Sequence, residues 1–166
     1  MSYIVIDQGT SSTKAFLFSA KGKILHQKKK KYRLETPKPF HIECDPRMIL
    51  SDVIYLFNEM VTKANNKSIH GLGFAFQRST FLFWEKSTCM PVTPAISWQD
   101  SRATVVLDKF KKYEEKIWEI TGAPLSAHFG GPKYYHMVQN NRSLKKKAEN
   151  GDVYFGPLSA FIVHAI

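Results

Sequence analysis

The sequence predicts an α/β fold, a mixed sheet flanked by helices. Three observations carry this. Two short β-branched and aromatic runs, Tyr3 to Ile6 and Ala15 to Phe18, are separated only by small polar residues and one glycine, the pattern of a hairpin. An amphipathic segment follows, with Ile49, Val53, Leu56, Phe57, Met60 and Ala64 at helical spacing. After it, His70 to Gln77 returns to a strand pattern, and strand and helix patterns continue to the end of the chain.

Taken in order, the first run ends at Asp7, and the hairpin turn carries Gly9, Thr10, Ser11, Ser12 and Thr13. Ser19 to Lys23 is a second turn. Ile24 to Leu34 reads as a third strand and includes four consecutive lysines, Lys28 to Lys31. A third meander strand falls at the sheet edge, where lysine discourages pairing with other chains, so the run needs no ligand. Glu35 to Glu43, with Pro37 and Pro39, is irregular. Asp45-Pro46 supplies an N-cap and a first-turn proline for the helix, whose Met and aromatic residues belong to the core. Asn65-Asn66 ends it. Glycines in His70 to Gln77 mark places where a neighbouring backbone approaches closely. Three strands, a helix and a strand are the opening order of a ribonuclease H-like half.

Phe81 to Glu85 is a further strand, Lys86 to Pro94 turns, and Ala95 to Trp98 is extended. Asp100 or Ser101 caps a helix carrying Ala103, Val106, Leu107, Phe110, Ile117 and Ile120, which Thr121-Gly122-Ala123-Pro124 stops. Gly130-Gly131-Pro132 starts another helix around Tyr134, Met137 and Val138. Arg142 to Asn150 is a basic, exposed helix or loop. Asp152 to Gly156 is a short strand, and Pro157 to Ile166 begins an apolar helix in which the sequence ends. There is no internal repeat or low-complexity segment.

With 166 residues and 43% hydrophobic content, the chain makes one domain with a real core. It holds no apolar run near the length of a membrane span, and Met-Ser-Tyr-Ile enters a strand without a signal-peptide pattern, so a cytoplasmic protein without a membrane partner is expected. Cys44 and Cys89 are far apart in sequence and read as two reduced thiols rather than a disulfide or zinc site. The net charge of +10, from 24 Lys+Arg against 14 Asp+Glu, attracts polyanions. Yet the lysines cluster at Lys28–Lys31, Lys109–Lys116 and Lys145–Lys147 beside amphipathic structure, not interleaved with aromatics. Solvated faces account for them, and no specific nucleic acid is expected.

Two constellations carry chemistry. In the first turn, Gly9 permits positive φ, backbone N–H groups face outward, and the hydroxyls of Thr10, Ser11 and Ser12 surround the same concavity, which suits phosphate oxygens. Lys14 adds a cation on the far side. Asp7 leaves a buried strand at the mouth of the turn, where a carboxylate can hold Mg²⁺ directly or through water. A solvated polar turn is the commoner meaning of such a hairpin; the joint presence of carboxylate, glycine, three hydroxyls and cation argues for the phosphate site. The second constellation pairs Gln77-Arg78-Ser79-Thr80 with Trp98-Gln99-Asp100-Ser101-Arg102, each at the C-terminal end of a strand, the rim where α/β sheets place ligands. Gln77, Arg78, Asp100 and Trp98 match the hydroxyls and C–H faces of a polyol or sugar. The plain alternatives are a surface ion pair for Arg78, a core role for Trp98 and a helix cap for Asp100.

Asp7 to Lys14 resembles the first phosphate motif of the FGGY carbohydrate kinases, the group that includes glycerol kinase, xylulokinase and gluconate kinase. More loosely it is similar to the actin/hexokinase ATPases. Phe76 to Thr80, Phe83 to Lys86 and Pro94 to Arg102 resemble the substrate-side segments of the same family, in the same order and at similar spacing. The resemblance implies transfer of the ATP γ-phosphate to a sugar, polyol or sugar-acid hydroxyl. Asp7 would order Mg²⁺ and the phosphates, and Gly9, Thr10, Ser11, Ser12 and Lys14 would line the phosphate turn. Arg78 and Trp98 would contact the acceptor, with Gln77, Ser79, Asp100 and His128 completing its site. Ser79 stands where glycerol kinases carry Glu and His128 where they carry Tyr, which disfavours glycerol itself. The resemblance spans Tyr3 to Ile166 but only most of the first of the family's two large domains. It therefore implies a truncated, substrate-side domain. The nucleotide-binding domain and the Gly-Asp-Gln-like segment with the general base are missing, and little turnover follows. Exposure of the face those parts cover would favour a homo-oligomer.

Two other classes make contrasting demands. A ribonuclease H-like nuclease needs further carboxylates converging on its metals, whereas the strand after the first helix ends in Gln77-Arg78. A non-catalytic polyanion-binding or assembly module requires tight, steeply salt-dependent binding.

Overall fold

The computed structural model describes residues 1–65 and 68–166; Asn66, expected to share the stop of the first helix, lies outside them. The chain divides into two compact units, one made of Met1–Leu34, Asp45–Gln77 and Ala165–Ile166, the other of Glu35–Cys44 and Arg78–His164.

In the first unit, β1 (Ser2–Gln8), β2 (Ser12–Ser19), β3 (Ile24–Lys31) and β5 (Ile69–Phe76) form a sheet in the order β3-β2-β1-β5. β1 runs antiparallel to β2 and parallel to β5. Side chains alternate as the period of two requires: Ile4, Ile6 and Gln8 of β1, with Thr13, Ala15 and Leu17 of β2, are buried. The helix α1 (Pro46–Ala64) packs on β1, β2 and β3 and buries Ile49, Val53, Leu56 and Met60. Each such side chain contributes about 1.5–3 kcal/mol of apolar burial. The expected start is present: Asp45 accepts from the Arg47 amide, and Pro46 occupies the first turn. Asn65 closes the helix in the left-handed conformation, φ 46°.

β3 lies at the sheet edge, as its sequence suggests, and its lysines also tie it to α1. Lys30 pairs with the buried Asp52, and Lys28 bonds both Tyr55 and Glu59. Contrary to expectation, β3 stops at Lys31, and Tyr32 turns inward. The aromatic residues of α1 are not all core: Tyr55 is exposed and Phe57 only half-buried.

In the second unit, β4 (Glu43–Cys44), β7 (Ala95–Ile96), β6 (Phe81–Glu85) and β8 (Val153–Pro157) form an antiparallel sheet in that order. β4 falls at the end of the stretch expected to be irregular. β7 is shorter than the Ala95–Trp98 expectation, because Ser97 and Asp100 fold into a turn. The long helix expected from Ala103 to Ile120 breaks into 3-10 turns at Arg102–Lys109 and Lys111–Tyr113, then α2 (Glu114–Thr121). Only Ala103 and Val106 of the first turn are buried, while Trp118 and Ile120 are exposed. The Lys109–Lys116 region offers no continuous apolar stripe to hold one α-helix against the core. α3 (Gly130–Gln139), α4 (Arg142–Asn150) and α5 (Leu158–Ala165) follow. Phe83, Val138, Leu144 and Val153 form one core cluster of this unit. No helix among the described residues is long and apolar enough to cross a membrane.

Candidate active site

The β1–β2 turn is tighter than the sequence suggests. Because β2 already begins at Ser12, only Gly9, Thr10 and Ser11 lie outside the ladder, and the Gly9 amide donates to Ser12 O at 3.0 Å. Ser12 and Thr13, expected in the turn, are buried strand residues, and Thr13 Oγ1 is buried without a hydrogen-bond partner. Gly9 does not adopt positive φ; the glycines that do are Gly22, Gly122 and Gly151. A Cβ on Gly9 would sit at an ordinary 3.5 Å from Ser12 O.

A polar network fixes this turn from inside. Gln8, fully buried, donates through Nε2 to Gly9 O (2.8 Å) and the Tyr32 hydroxyl (3.0 Å). The Tyr32 hydroxyl in turn donates to Gly9 O. Gln77 Nε2 reaches Tyr32 Oη at 3.0 Å and Gln8 Oε1 at 3.2 Å, while its amide donates to Gln8 O. Gln77, expected with the acceptor group, is bonded instead beneath the β1–β2 turn. Gln8 and Tyr32 were missed; the signal was a glutamine inside a buried strand position, where an amide demands partners.

Asp7 projects from the opposite side of β1, between the buried Ile6 and Gln8. The register pairs it directly with Lys14, whose Nζ lies 3.0 Å from Asp7 Oδ2. Lys14 is thus Asp7's neighbour and not a cation across the pocket. Both side chains stay over one third exposed, at 37% for Asp7 and 39% for Lys14. Among the described residues no group of three or more His, Cys, Asp or Glu converges. A lone exposed carboxylate suits a hydrated Mg²⁺ whose other ligands are water and phosphate oxygens.

In the second unit, Arg78, Ser79 and Thr80 precede β6, while Ser97 and Trp98 follow β7. Arg78 is exposed and takes part in none of the ion pairs among the described residues. Ser79 holds a left-handed φ of 58°. Thr80, fully buried, accepts the Trp98 amide on Oγ1 at 3.2 Å and the Leu158 amide on its carbonyl. Trp98 keeps 38% of its surface, and His128 meets its ring edge-on at 5.9 Å, so the structure brings these two expected residues together. Asp100 is 2% exposed and fully engaged: it accepts from Ile42 N (2.6 Å), Arg102 N (3.0 Å) and the Arg102 guanidinium. Its carboxylate anchors the loop, leaving no lone pair for a ligand hydroxyl. Burial opposes the charge of Arg102, but hydrogen bonds to Asp100 and Glu43 outweigh it and raise the guanidinium pKa. Lys133, unnoticed in the sequence, is buried beside this cluster and donates to Ser79 O and Ser97 O. Its signal was its spacing: it lies four residues before Met137, on one face of α3.

Residues 2–165 match the N-terminal domain of the FGGY family of carbohydrate kinases, and the chain belongs to that family. It is 34% identical to a glycerol kinase of Bacillus cereus over 162 residues, which covers 95% of this chain and 33% of the relative. The crystal structure of Plasmodium falciparum glycerol kinase with ADP superposes at a TM-score of 0.90 with 27% identity, over 98% of this chain and 34% of that one. Gluconate kinase from Lactobacillus acidophilus, at 21% identity and a TM-score of 0.81 over 98% of this chain and 33% of that one, shares the fold. The fold is the ribonuclease H-like one of the actin/hexokinase ATPases. The chain spans about a third of the length of the curated relatives it matches.

Proposed function

We propose that this chain is the substrate-side, phosphate-ordering part of an ATP-dependent kinase whose acceptor is a sugar, polyol or sugar acid. The observation that carries this reading is Asp7, an accessible carboxylate at the lip of a Gly9-Thr10-Ser11 turn that Gln8, Tyr32 and Gln77 hold rigid from beneath. Asp7 is the residue that would hold Mg²⁺, which would supply positive charge to neutralise that developing on the transferred phosphoryl group. Asp7 Oδ2 could give up Lys14 for a cation at little cost, since a partly exposed pair contributes at most about 1 kcal/mol. Lys14 would then be a cation available to a phosphate oxygen. Ser11 is exposed and Thr10 half-buried in the turn, while the buried Ser12 would act through its backbone.

Arg78 donates to acceptor hydroxyls, and the Trp98 face, steadied by His128, covers its C–H surface. Ser79 and His128 leave a differently shaped hydroxyl-binding wall from the one glycerol kinases are expected to have, favouring an acceptor other than glycerol. On this reading the general base and the second wall of the nucleotide site lie outside residues 1–166, so the isolated chain turns over little. The test is ADP formation by the polypeptide at its relatives' full length, screened against polyols, pentoses, ketoses and sugar acids. One acceptor giving saturable, Mg²⁺-dependent ADP formation supports the reading, and ADP release independent of every acceptor contradicts it.

A further inference from the structure

Lys133 lies in the first turn of α3, where the helix dipole repels a cation, and it has no exposed surface. It forms no ion pair with a carboxylate among the described residues. Its Nζ instead donates to Ser79 O at 2.9 Å and Ser97 O at 2.8 Å, with the Phe81 ring centroid 5.8 Å away. Burial holds its pKa down to about 8, against the attraction of Asp100 and with the repulsion of Arg102. A buried ammonium is costly unless hydrogen-bonded, so the placement calls for a reason.

The two carbonyls supply one. They belong to the segments that present Arg78 and Trp98, and β6 and β7 share only the Phe81–Ile96 pair. Beyond that rung the ties between the segments include the Trp98 amide to Thr80 Oγ1 and the Lys133 bridge. Ser79's left-handed backbone persists only where its surroundings hold it. Gly130 allows the close approach that brings Lys133 within reach, since a Cβ there would stand 2.7 Å from the Phe81 ring.

We infer that Lys133 is a positioning residue for acceptor recognition: by bridging the Ser79 and Ser97 carbonyls, it sets the distance between the Arg78 guanidinium and the Trp98 ring. The inference rests on the kinase reading for its functional half, and its geometric half stands independently.

Two measurements separate these halves. In the 166-residue chain, carbonyl and amide NMR shifts are followed from pH 6.5 to 10. Asp100 and Arg102 act directly on Lys133, and Glu43 and His136 act on those two in turn, so Lys133→Met serves to identify the transition that belongs to Lys133. The expected result is that the Ser79 and Ser97 carbonyls and the Arg78 and Trp98 amides move together with a midpoint near 8. Carbonyls that titrate while those amides stay fixed, or no transition near that pH, overturn the proposal even if Lys133→Met fails to fold. In the polypeptide at its relatives' length, Lys133→Met raises the acceptor KM about tenfold or more and leaves the ATP KM within about twofold. Equal changes in both constants, or none, overturn it as well. If the unmutated protein phosphorylates no acceptor, the kinase reading fails while the NMR result still decides whether Lys133 sets the two segments.

Discussion

Asp7 and Lys14 face each other across one rung of the β1–β2 ladder, their charged atoms 3.0 Å apart and both side chains partly open to solvent. The pair poises a carboxylate without committing it. Losing it costs the fold at most about 1 kcal/mol. On the kinase reading, Asp7→Asn lowers kcat about a hundredfold or more while the unfolding midpoint moves by only a few degrees. Parallel kinetics and calorimetry check this, and a rate loss that tracks unfolding would assign Asp7 to structure.

Gly9 separates fold from ligand in the same way. Its backbone is not left-handed and a Cβ meets only ordinary contact, so Gly9→Ala should leave the fold unchanged or stabilise it by up to about 1 kcal/mol. The methyl would still crowd a phosphate approaching the turn. Chemical denaturation together with ADP titration calorimetry should therefore show stability kept and nucleotide affinity lost.

Gln77 bonds Gln8, Gly9 and Tyr32 beneath the β1–β2 turn, which on the kinase reading binds phosphate. Gln77→Ala leaves buried polar partners unsatisfied, a cost of about 1–3 kcal/mol. It should raise the KM for ATP more than that for the acceptor; the opposite split in steady-state kinetics would return Gln77 to the acceptor site.

Lys133 makes stability depend on pH with a definite sign. Its pKa is about 8 in the folded chain against an ordinary 10.5. Between those values the unfolded chain holds a proton that the native chain has released, so this group's contribution to stability rises with pH. Below pH 8 the penalty for burying the charge is fully present. The rise amounts to on the order of 3 kcal/mol at about 1.4 kcal/mol per unit. Denaturation at pH 7 and pH 10 should show an increment that Lys133→Met lacks.

Gly130→Ala places a methyl against the Phe81 ring, where something must shift. Overpacking of this kind costs about 1–3 kcal/mol, read as a lower denaturation midpoint and a change in near-ultraviolet circular dichroism.

The hairpin, the Asp45-Pro46 helix start, the edge lysines and the strand around Gly71 and Gly73 were legible because each rests on local pattern. The broken helix after Asp100 was not. Only Ala103 and Val106 of its first turn find a buried place, and the lysine-rich stretch after them has no apolar stripe to continue one α-helix, while Asp100 turns its carboxylate onto Ile42, distant in sequence. Asp7, Arg78 and Trp98 stand accessible, the exposure their proposed roles require. Gln8, Tyr32 and Lys133 escaped because they act from the buried side, through partners that only the tertiary register supplies. Asp100 and Gln77 carried the right residue types and were drawn into the scaffold.

The most direct measurement is acceptor-dependent ADP formation by the polypeptide at its relatives' full length, compared with its Asp7→Ala variant. The account predicts at least one sugar, polyol or sugar acid that supports turnover, and a loss of about a hundredfold or more in a variant that stays folded. Undiminished phosphoryl transfer in folded Asp7→Ala would contradict it.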